Sequence, residues 1–243
     1  NYEYYVLDNP TVDDVEYDSL TRELKNLEQK YPEDILPNTP TQKVGDYLKT
    51  DLEEITHNVP MMSLQDVFSF EELYEFDERI RKITNNFTYT CELKIDGIAS
   101  SIHYTDGLLT LGATRGNGIT GENITKNVLT INSLPKVLTE HISLEVRGEV
   151  FMKKSVLEDL NNIRKERGEA LLANVRNAAG GSLRQLDPNV TKERRLDQFA
   201  YTLVNPEKYG IDSQVGVLEF LKKLGFNVNP NYRHCKSIKE VID

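Results

Sequence analysis

The spacing of apolar residues near the start of the chain predicts a helix. From Thr11 onward, apolar side chains recur at steps of three and four residues, which is the pattern of one stripe on an α-helix. The stripe consists of Tyr17, Leu20, Leu24, Leu27 and Tyr31. Asp13, followed three residues later by Glu16, is typical of a capping box at a helix start. We therefore expect an amphipathic helix in this segment.

Prolines follow this helix and indicate a boundary. Pro32, Pro37 and Pro40 predict the end of the helix and a stiff connection, because proline cannot continue the helical hydrogen-bond pattern. The composition changes after this connection. We therefore expect a small helical subdomain over residues 1–51 and a second domain over residues 52–243.

The period of the pattern changes in the second domain. Ser69 is a suitable N-cap for another helix, whose apolar stripe continues to Ile83. Over residues 87–95 apolar and polar side chains then alternate, which predicts a half-buried strand. Since alternate residues of a strand point the same way, we expect the polar side chains from Glu92 to Asp96, with Lys94 between them, to share one face.

The remaining pattern predicts strands in hairpins and clusters. Asp106-Gly107 is a strong hairpin signal between the two runs that flank it. Strands are predicted at 101–104, 108–111, 142–152 and 199–204, a candidate strand at 226–228, and helices that start at Ser155 and at Ser213, the latter ending at Gly225. Regular strand–helix repeats are absent from this pattern. We therefore expect an α+β fold of mostly antiparallel sheets with flanking helices, and not a doubly wound fold.

Charge and composition narrow the classes of function. The 243 residues include 29 Lys and Arg against 39 Asp and Glu, a formal charge of −10. This acidity argues against the chain gripping a nucleic-acid backbone by itself, because that affinity comes from neutralising phosphates. No apolar run approaches the ~18 residues that a membrane-spanning helix needs, so we expect no membrane association. The two cysteines make neither a disulfide framework nor a zinc spacing, which favours a reducing cytoplasm.

The segment around Lys94 is the first candidate for chemistry. One interpretation is a solvated charged face on an edge strand. The other is a nucleophilic amine held by its strand. Flanking carboxylates raise the pKa of a lysine, so a nucleophilic Lys94 would need a compensating cation such as Mg²⁺ or a nearby arginine.

Two arginine-bearing segments and one strand pair also allow more than one interpretation. Gly116, Gly118 and Gly121 match the G-x-G-x-x-G spacing, but the hairpin context disfavours dinucleotide binding and favours a loop that presents Arg115 to an anion. Arg147 and Glu149 are either site residues or an ordinary surface ion pair. Residues 174–184 are either an anion-binding backbone segment or a helix start with surface arginines.

These segments together resemble the covalent nucleotidyltransferases, in the form of the NAD⁺-dependent bacterial DNA ligases. Cys91-Glu-Leu-Lys-Ile-Asp-Gly97 resembles their K-x-D-G motif, and the other motifs follow in the family's order. They lie at residues 62–68, 114–118, 144–149 and 176–185. Tyr4 together with residues 14–18 is similar to the family's helical region for nicotinamide mononucleotide. Because the chain begins without Met and covers only these motifs, we expect it to be a fragment of a longer ligase.

The resemblance implies a role for each matching residue. Lys94 would attack the α-phosphorus of NAD⁺ and keep AMP, with release of nicotinamide mononucleotide. Residues that would bind the adenosine or line its pocket are Glu92, Arg115, Glu149, Ser63, Leu64 and Asp96. Those that would hold the nicotinamide nucleoside are Tyr4, Tyr5, Asp14, Val15, Glu16, Tyr17 and Asp18. Arg176 and Arg184 would contact phosphates of NAD⁺ or of DNA.

The resemblance also implies partners and limits. We expect NAD⁺ as substrate, Mg²⁺ on its phosphates, nicked duplex DNA as partner of the full-length enzyme, and a monomer; no residue of this chain is expected to be a metal ligand, and zinc is expected only outside it. The family's late motif with another lysine is not in the sequence, so self-adenylylation should be slow and nick sealing absent. A nucleotidyltransferase that uses ATP or GTP, a non-catalytic nucleotide-binding module, and a Schiff-base lysine enzyme are the alternatives.

Overall fold

A computed structural model describes residues 11–12, 14–36, 39–41 and 51–243. Its helices are α1 (Asp14–Lys30), α2 (Phe70–Arg81), α3 (Thr125–Val128), α4 (Lys154–Glu166), α5 (Val175–Leu183), α6 (Pro188–Glu193), α7 (Gln214–Lys223) and α8 (Ile238–Ile242). Its strands are β1 (Glu54–Thr56), β2 (Tyr89–Glu92), β3 (Ile98–Thr105), β4 (Leu108–Thr114), β5 (Thr120–Glu122), β6 (Leu144–Phe151), β7 (Asp197–Leu203) and β8 (Tyr232–Cys235). This mixture confirms the predicted α+β class.

A four-stranded sheet of order β4-β3-β6-β7 carries the core. The predicted hairpin between β3 and β4 is confirmed: Asp106 and Gly107 both have positive φ, 50° and 79°, which a tight two-residue turn requires. Along β6 buried and half-buried residues alternate strictly. The buried face, which includes Val146 and Val150, joins α7 and the inner side of β3 in one apolar cluster. The other face of β6 is therefore left for polar side chains.

Two small antiparallel sheets, β1-β5 and β2-β8, flank the central sheet. The first supports the glycine loop that joins β4 to β5, and the second supports the segment that leads to Lys94. Every strand pairing of the described residues is antiparallel. A parallel βαβ unit is thus absent from that part of the chain, which agrees with the preference against a dinucleotide fold at the glycine loop.

The strand predicted over 87–95 is shorter than expected. It begins at Tyr89 and ends at Glu92, so the prediction that Lys94 and Asp96 lie on a strand face was wrong. The reason lies in the partner strand, whose last paired residue opposite Glu92 is Tyr232. In the residues before Tyr232, the N–H of Asn231 donates to the side chain of Asn229 and not to β2, and Pro230 has no N–H to donate. Residues 93–97 therefore form an irregular connection between β2 and β3.

Several local predictions also need correction. Helix α4 begins at Lys154 with Lys153 as its N-cap, so Ser155 does not cap it. Residues 226–228 form no strand, although the carbonyl of Asn227 accepts a bond from Ala200 at 2.8 Å. Ile83 lies beyond α2 and is 88% exposed. The cap at Ser69 and the helix start at Ser213 are confirmed, and each serine accepts a bond from a helix N–H.

The first helix is present, and its expected cap at Asp13 lies outside the described residues. The apolar stripe is only partly covered, since Leu20 is 53% and Leu27 is 48% exposed among the described residues. Helix α1 contacts α2 through Arg22, which pairs with Glu72 at 3.2 Å. None of the helices that the structure describes has the length and apolarity of a bilayer-crossing segment.

Candidate functional site

Cations converge on one enclosed carboxylate, Glu149, on the polar face of β6. Burial raises the pKa of Glu149 to about 7, while the positive charges of Lys94, Arg176 and Arg115 act to lower it. The hydroxyl of Tyr201 on β7 donates to the Glu149 carboxylate at 3.4 Å. The contacts of the segments that carry these three cations agree with this: Gly97 of the Lys94 connection lies against Glu149, and Arg176 bonds to Asp96 beside it. The N–H of Arg115 bonds to the carbonyl of Ala99, which pairs with Glu149 across β3 and β6. A site of this kind attracts anionic groups such as phosphates.

A glycine lets the Lys94 connection pass close to this carboxylate. A Cβ at Gly97 would lie 2.3 Å from the carbonyl oxygen of Val150 and 3.0 Å from Cγ of Glu149. Any larger residue would therefore push the connection away from β6. The K-x-D-G spacing thus has a structural reason here: Gly97 brings the chain, and with it Lys94, against β6.

Asp96 and Glu92 are each held by a partner from a distant part of the sequence. Asp96 accepts a bond from Arg176 of α5 at 3.1 Å. Glu92 accepts a bond from the amide of Gln214 at 2.8 Å, and the same amide donates to the carbonyl of Tyr201 at 2.8 Å. Partial removal from water raises the pKa of Glu92, and the bond from Gln214 opposes this rise. The two carboxylates that flank Lys94 are therefore oriented, one toward α5 and one toward β7.

The glycine loop brings Arg115 to the segment that contains Ser63. Nη1 of Arg115 donates to Oγ of Ser63 at 3.1 Å. Gly118, at φ 90°, approaches this segment so closely that a Cβ would lie 2.8 Å from the carbonyl oxygen of Met61. Leu64 lies next to Ser63 and is 80% exposed. The loop therefore carries Arg115 to the Ser63 segment, and its contact with an anion stays a prediction.

Arg147 serves a purpose that differs from the predicted surface pair. It does not pair with Glu149; its Nε bonds to Glu145 at 3.0 Å. Its two terminal nitrogens donate to backbone carbonyls, at 3.0 Å to Pro60 and at 2.5 Å to Val59. Only 12% of its side chain is exposed. Arg147 therefore anchors the segment that runs into Ser63.

The two predicted phosphate-contacting arginines lie in different surroundings. Arg176 lies in the first turn of α5, which Asn174 caps, so a helix does start in this segment, while contact of Arg176 with phosphate stays a prediction. Arg184 lies just past the end of α5 and pairs with the buried Glu122 of β5 at 2.8 Å. Glu122 also accepts a bond from Thr114 at 3.2 Å. Arg184 therefore stabilises the glycine loop through Glu122, which bonds to Thr114 across the two ends of that loop.

The residues predicted for the nicotinamide nucleoside lie in the N-terminal segment. Tyr4 and Tyr5 are outside the described residues. Helix α1 includes Asp14, Val15 and Asp18, whose side chains are also outside the description, together with the exposed Glu16 and the half-buried Tyr17.

Sequence reasoning missed Tyr201 and Gln214. A strand was predicted at Tyr201, but its pairing beside β6 brings together residues about fifty positions apart, which no local pattern reveals. Gln214 follows a predicted helix cap, and nothing in its neighbourhood marks it as a partner of Glu92. Within the described ranges, no three His, Cys, Asp or Glu side chains form a group that could hold a metal ion.

Comparison with known proteins agrees with this geometry. Residues 49–243 match the family described as NAD-dependent DNA ligase adenylation domain, and residues 1–45 match the DNA ligase-like, N-terminal NAD+-binding domain. The chain is 49% identical over 242 residues to a DNA ligase of Anoxybacillus flavithermus and 47% identical over 245 residues to one of Thermotoga maritima. Each alignment covers 100% of this chain and 36% of the relative, so the chain spans about a third of their length. The chain therefore belongs to the NAD-dependent DNA ligase family, of which it carries the N-terminal NAD⁺-binding and adenylation regions.

Proposed function

We propose that this chain transfers AMP from NAD⁺ to Lys94, as the first step of nick sealing by a longer ligase. The Nζ of Lys94 attacks the α-phosphorus, and a nitrogen–phosphorus bond forms. The bond from that phosphorus to nicotinamide mononucleotide breaks, and the amine loses a proton. The observation that carries this proposal is that the Lys94 connection lies against Glu149 at Gly97 while Arg176 bonds to Asp96 beside it.

Different residues around Lys94 bind different parts of the nucleotide. Glu149, oriented by Tyr201, and Glu92, oriented by Gln214, offer acceptors to the hydroxyl and amino groups of adenosine. Ser63 and the exposed Leu64 line the open side of the pocket. Asp96 holds Arg176, which reaches the phosphates.

Mg²⁺ fits this site only with the help of the substrate. Asp96 is half exposed, but the described residues supply no set of three ligands. A hard cation of this kind is commonly held by one or two carboxylates together with substrate phosphates. We propose that Mg²⁺ would arrive on the pyrophosphate and would neutralise phosphate charge there, while Asp96 keeps its bond to Arg176.

We propose further that residues 1–51 hold the nicotinamide half and residues 52–243 the adenylate half. The two family matches, which meet between residues 45 and 49, support this division. Tyr4, Tyr5 and residues Asp14 to Asp18 would then contact the leaving group. Replacement of the half-buried Tyr17 by alanine should weaken reaction with NAD⁺ and spare the sealing of already adenylylated DNA by the full-length enzyme.

The decisive experiment uses NAD⁺ labelled in the adenylate phosphate. After long incubation and a denaturing gel, we expect label on the wild-type chain and its removal by nicotinamide mononucleotide, the reverse reaction. Lys94→Arg, which keeps the charge, should bear no label. Lys239→Arg, a matched change at an exposed residue of α8, should behave as wild type. Label on Lys94→Arg, or label from ATP in place of NAD⁺, would contradict the proposal.

The activity of the whole enzyme is also a proposal. Nicked DNA would be sealed only by the longer protein, acting as a monomer in the cytoplasm, with any zinc held outside these residues. The charge of −10 supports the view that other segments supply most of the grip on DNA.

A further inference from the structure

The two cysteines of the chain meet across the small sheet formed by β2 and β8. Cys91 and Cys235 are 144 positions apart in sequence, yet their sulfur atoms lie 3.8 Å apart. In the antiparallel register Cys91 faces Arg233 and Cys235 faces Tyr89, so the cysteines are diagonal neighbours. Residues two apart on a strand share a face, and both thiols therefore point to the same side of this sheet. The chain has no other cysteine to compete for either thiol.

The two thiols differ in access to solvent. Cys235 is 1% exposed, whereas Cys91 is partly exposed. An external disulfide therefore reacts with Cys91 first. The Cys235 thiol can then displace the group that has become attached to the Cys91 sulfur. The sulfurs must approach from 3.8 Å to about 2.05 Å, so rotation of the two side chains and a small approach of the two strands must close the remaining distance. Burial and the adjacent thiol raise the pKa of Cys91, so the exchange should be slow at neutral pH.

We propose that Cys91 and Cys235 form a modification site that closes to an intramolecular disulfide on exchange with a small-molecule disulfide. The Cys91 thiolate attacks one sulfur of oxidised glutathione, and one glutathione leaves. The Cys235 thiolate then attacks the Cys91 sulfur, and the second glutathione leaves. Two protein thiols are oxidised to one disulfide, and one glutathione disulfide is reduced to two thiols.

This bond would act on the part of the chain that leads to Lys94. Cys91 directly precedes Glu92, the last residue of β2, so the bond ties the start of the Lys94 connection to β8. It also links residues far apart in sequence, which restricts the unfolded chain and should raise the unfolding temperature. Neither effect requires the adenylation reaction, so the site can be tested whether or not the chain transfers AMP.

The test treats the 243-residue chain with oxidised glutathione, blocks remaining thiols with N-ethylmaleimide, and measures intact mass. We expect a species lighter than the reduced chain by two hydrogens, without maleimide, that yields one linked peptide containing both cysteines. Dithiothreitol should restore two reactive thiols. The oxidised chain should also unfold at a temperature several degrees higher.

Cys235→Ser is the matched variant, and it should stop at a stable glutathione adduct on Cys91. A wild-type chain that keeps two reactive thiols, keeps glutathione on Cys91, or forms only linked dimers would overturn the proposal. These outcomes are read on the wild-type chain, so they hold even if the variant folds poorly.

Discussion

The two faces of strand β6 have different roles, one in packing the core and one in presenting polar groups. On one face Val146 and Val150 are fully buried and join the core. On the other, Glu145, Arg147 and Glu149 are half-buried and hydrogen-bonded or surrounded by cations. The same backbone positions both sets, since successive side chains of a strand point to opposite faces. A rigid apolar face thus holds polar groups where their charges can act on a ligand.

The difference teaches that stability and chemistry can be altered separately here. Core side chains stabilise the fold through burial and packing. The polar face instead keeps the carboxylate of Glu149 partly buried, and this burial opposes its ionisation. Changes on the buried face should therefore lower stability and spare the reaction, whereas changes on the polar face should alter the reaction and the dependence of stability on pH.

The largest effect is expected from Ile102→Ala on β3. Ile102 is fully buried in the core cluster, so its truncation should lower the free energy of unfolding by about 2–5 kcal/mol. Urea unfolding measures this change. Ile83→Ala makes the same chemical change at a residue that is 88% exposed and should alter stability by less than about 0.5 kcal/mol. Equal losses in the two variants would contradict the division between core and surface.

The second largest effect is expected on the pH dependence of stability. Burial raises the pKa of Glu149 from 4.5 to about 7, so the folded chain holds a proton that the unfolded chain releases. Its contribution to stability is complete below about pH 4.5 and is lost as pH rises toward 7, by up to about 3 kcal/mol. Glu149→Gln should remove this part of the slope in urea unfolding at several pH values. The exposed Glu158→Gln is the matched control variant.

Arg147→Lys should affect the reaction more than the fold. Lysine keeps the charge but has one nitrogen where the guanidinium has three, so it cannot reach the two carbonyls at 59–60 and Glu145 with the same fixed geometry. The segment should therefore hold Ser63 less firmly. In the full-length enzyme, which turns over, we expect the KM for NAD⁺ to rise about fivefold, the equivalent of one hydrogen bond, with a smaller change in kcat. Arg195→Lys, at an exposed pair with Asp159, is the control. A fall in kcat alone would argue against a positioning role.

The smallest effect is expected from Ser63→Ala. It removes one exposed bond to Arg115, and we expect about a twofold rise in the KM for NAD⁺. Ser69→Ala, six residues later, removes a helix cap and should cost about 1 kcal/mol of stability without changing KM. If both variants changed KM alike, general loosening of this region would explain the effect.

Much of the fold was predictable because local chemistry specifies it. The alternation of β6, the hairpin at Asp106-Gly107 and the caps Ser69 and Ser213 each depend on a few neighbouring residues. The end of β2 was not predictable, because it depends on Pro230 and Asn231 in a partner strand far along the chain. Strand β8 was missed for the same reason, since its short run gains its structure from pairing with β2.

The sequence by itself determined the α+β class, the motif residues around Lys94 and the resemblance to the NAD⁺-dependent ligases. The fold class follows from local backbone preferences along the chain. The motif residues and the resemblance follow from residue types at short, fixed spacings. Only the tertiary structure decided that the segments of Lys94, Arg115 and Arg176 lie beside Glu149, and that Gln214 orients Glu92. Such contacts join residues far apart in sequence, and their energies arise from burial and proximity that exist only once the sheets have assembled.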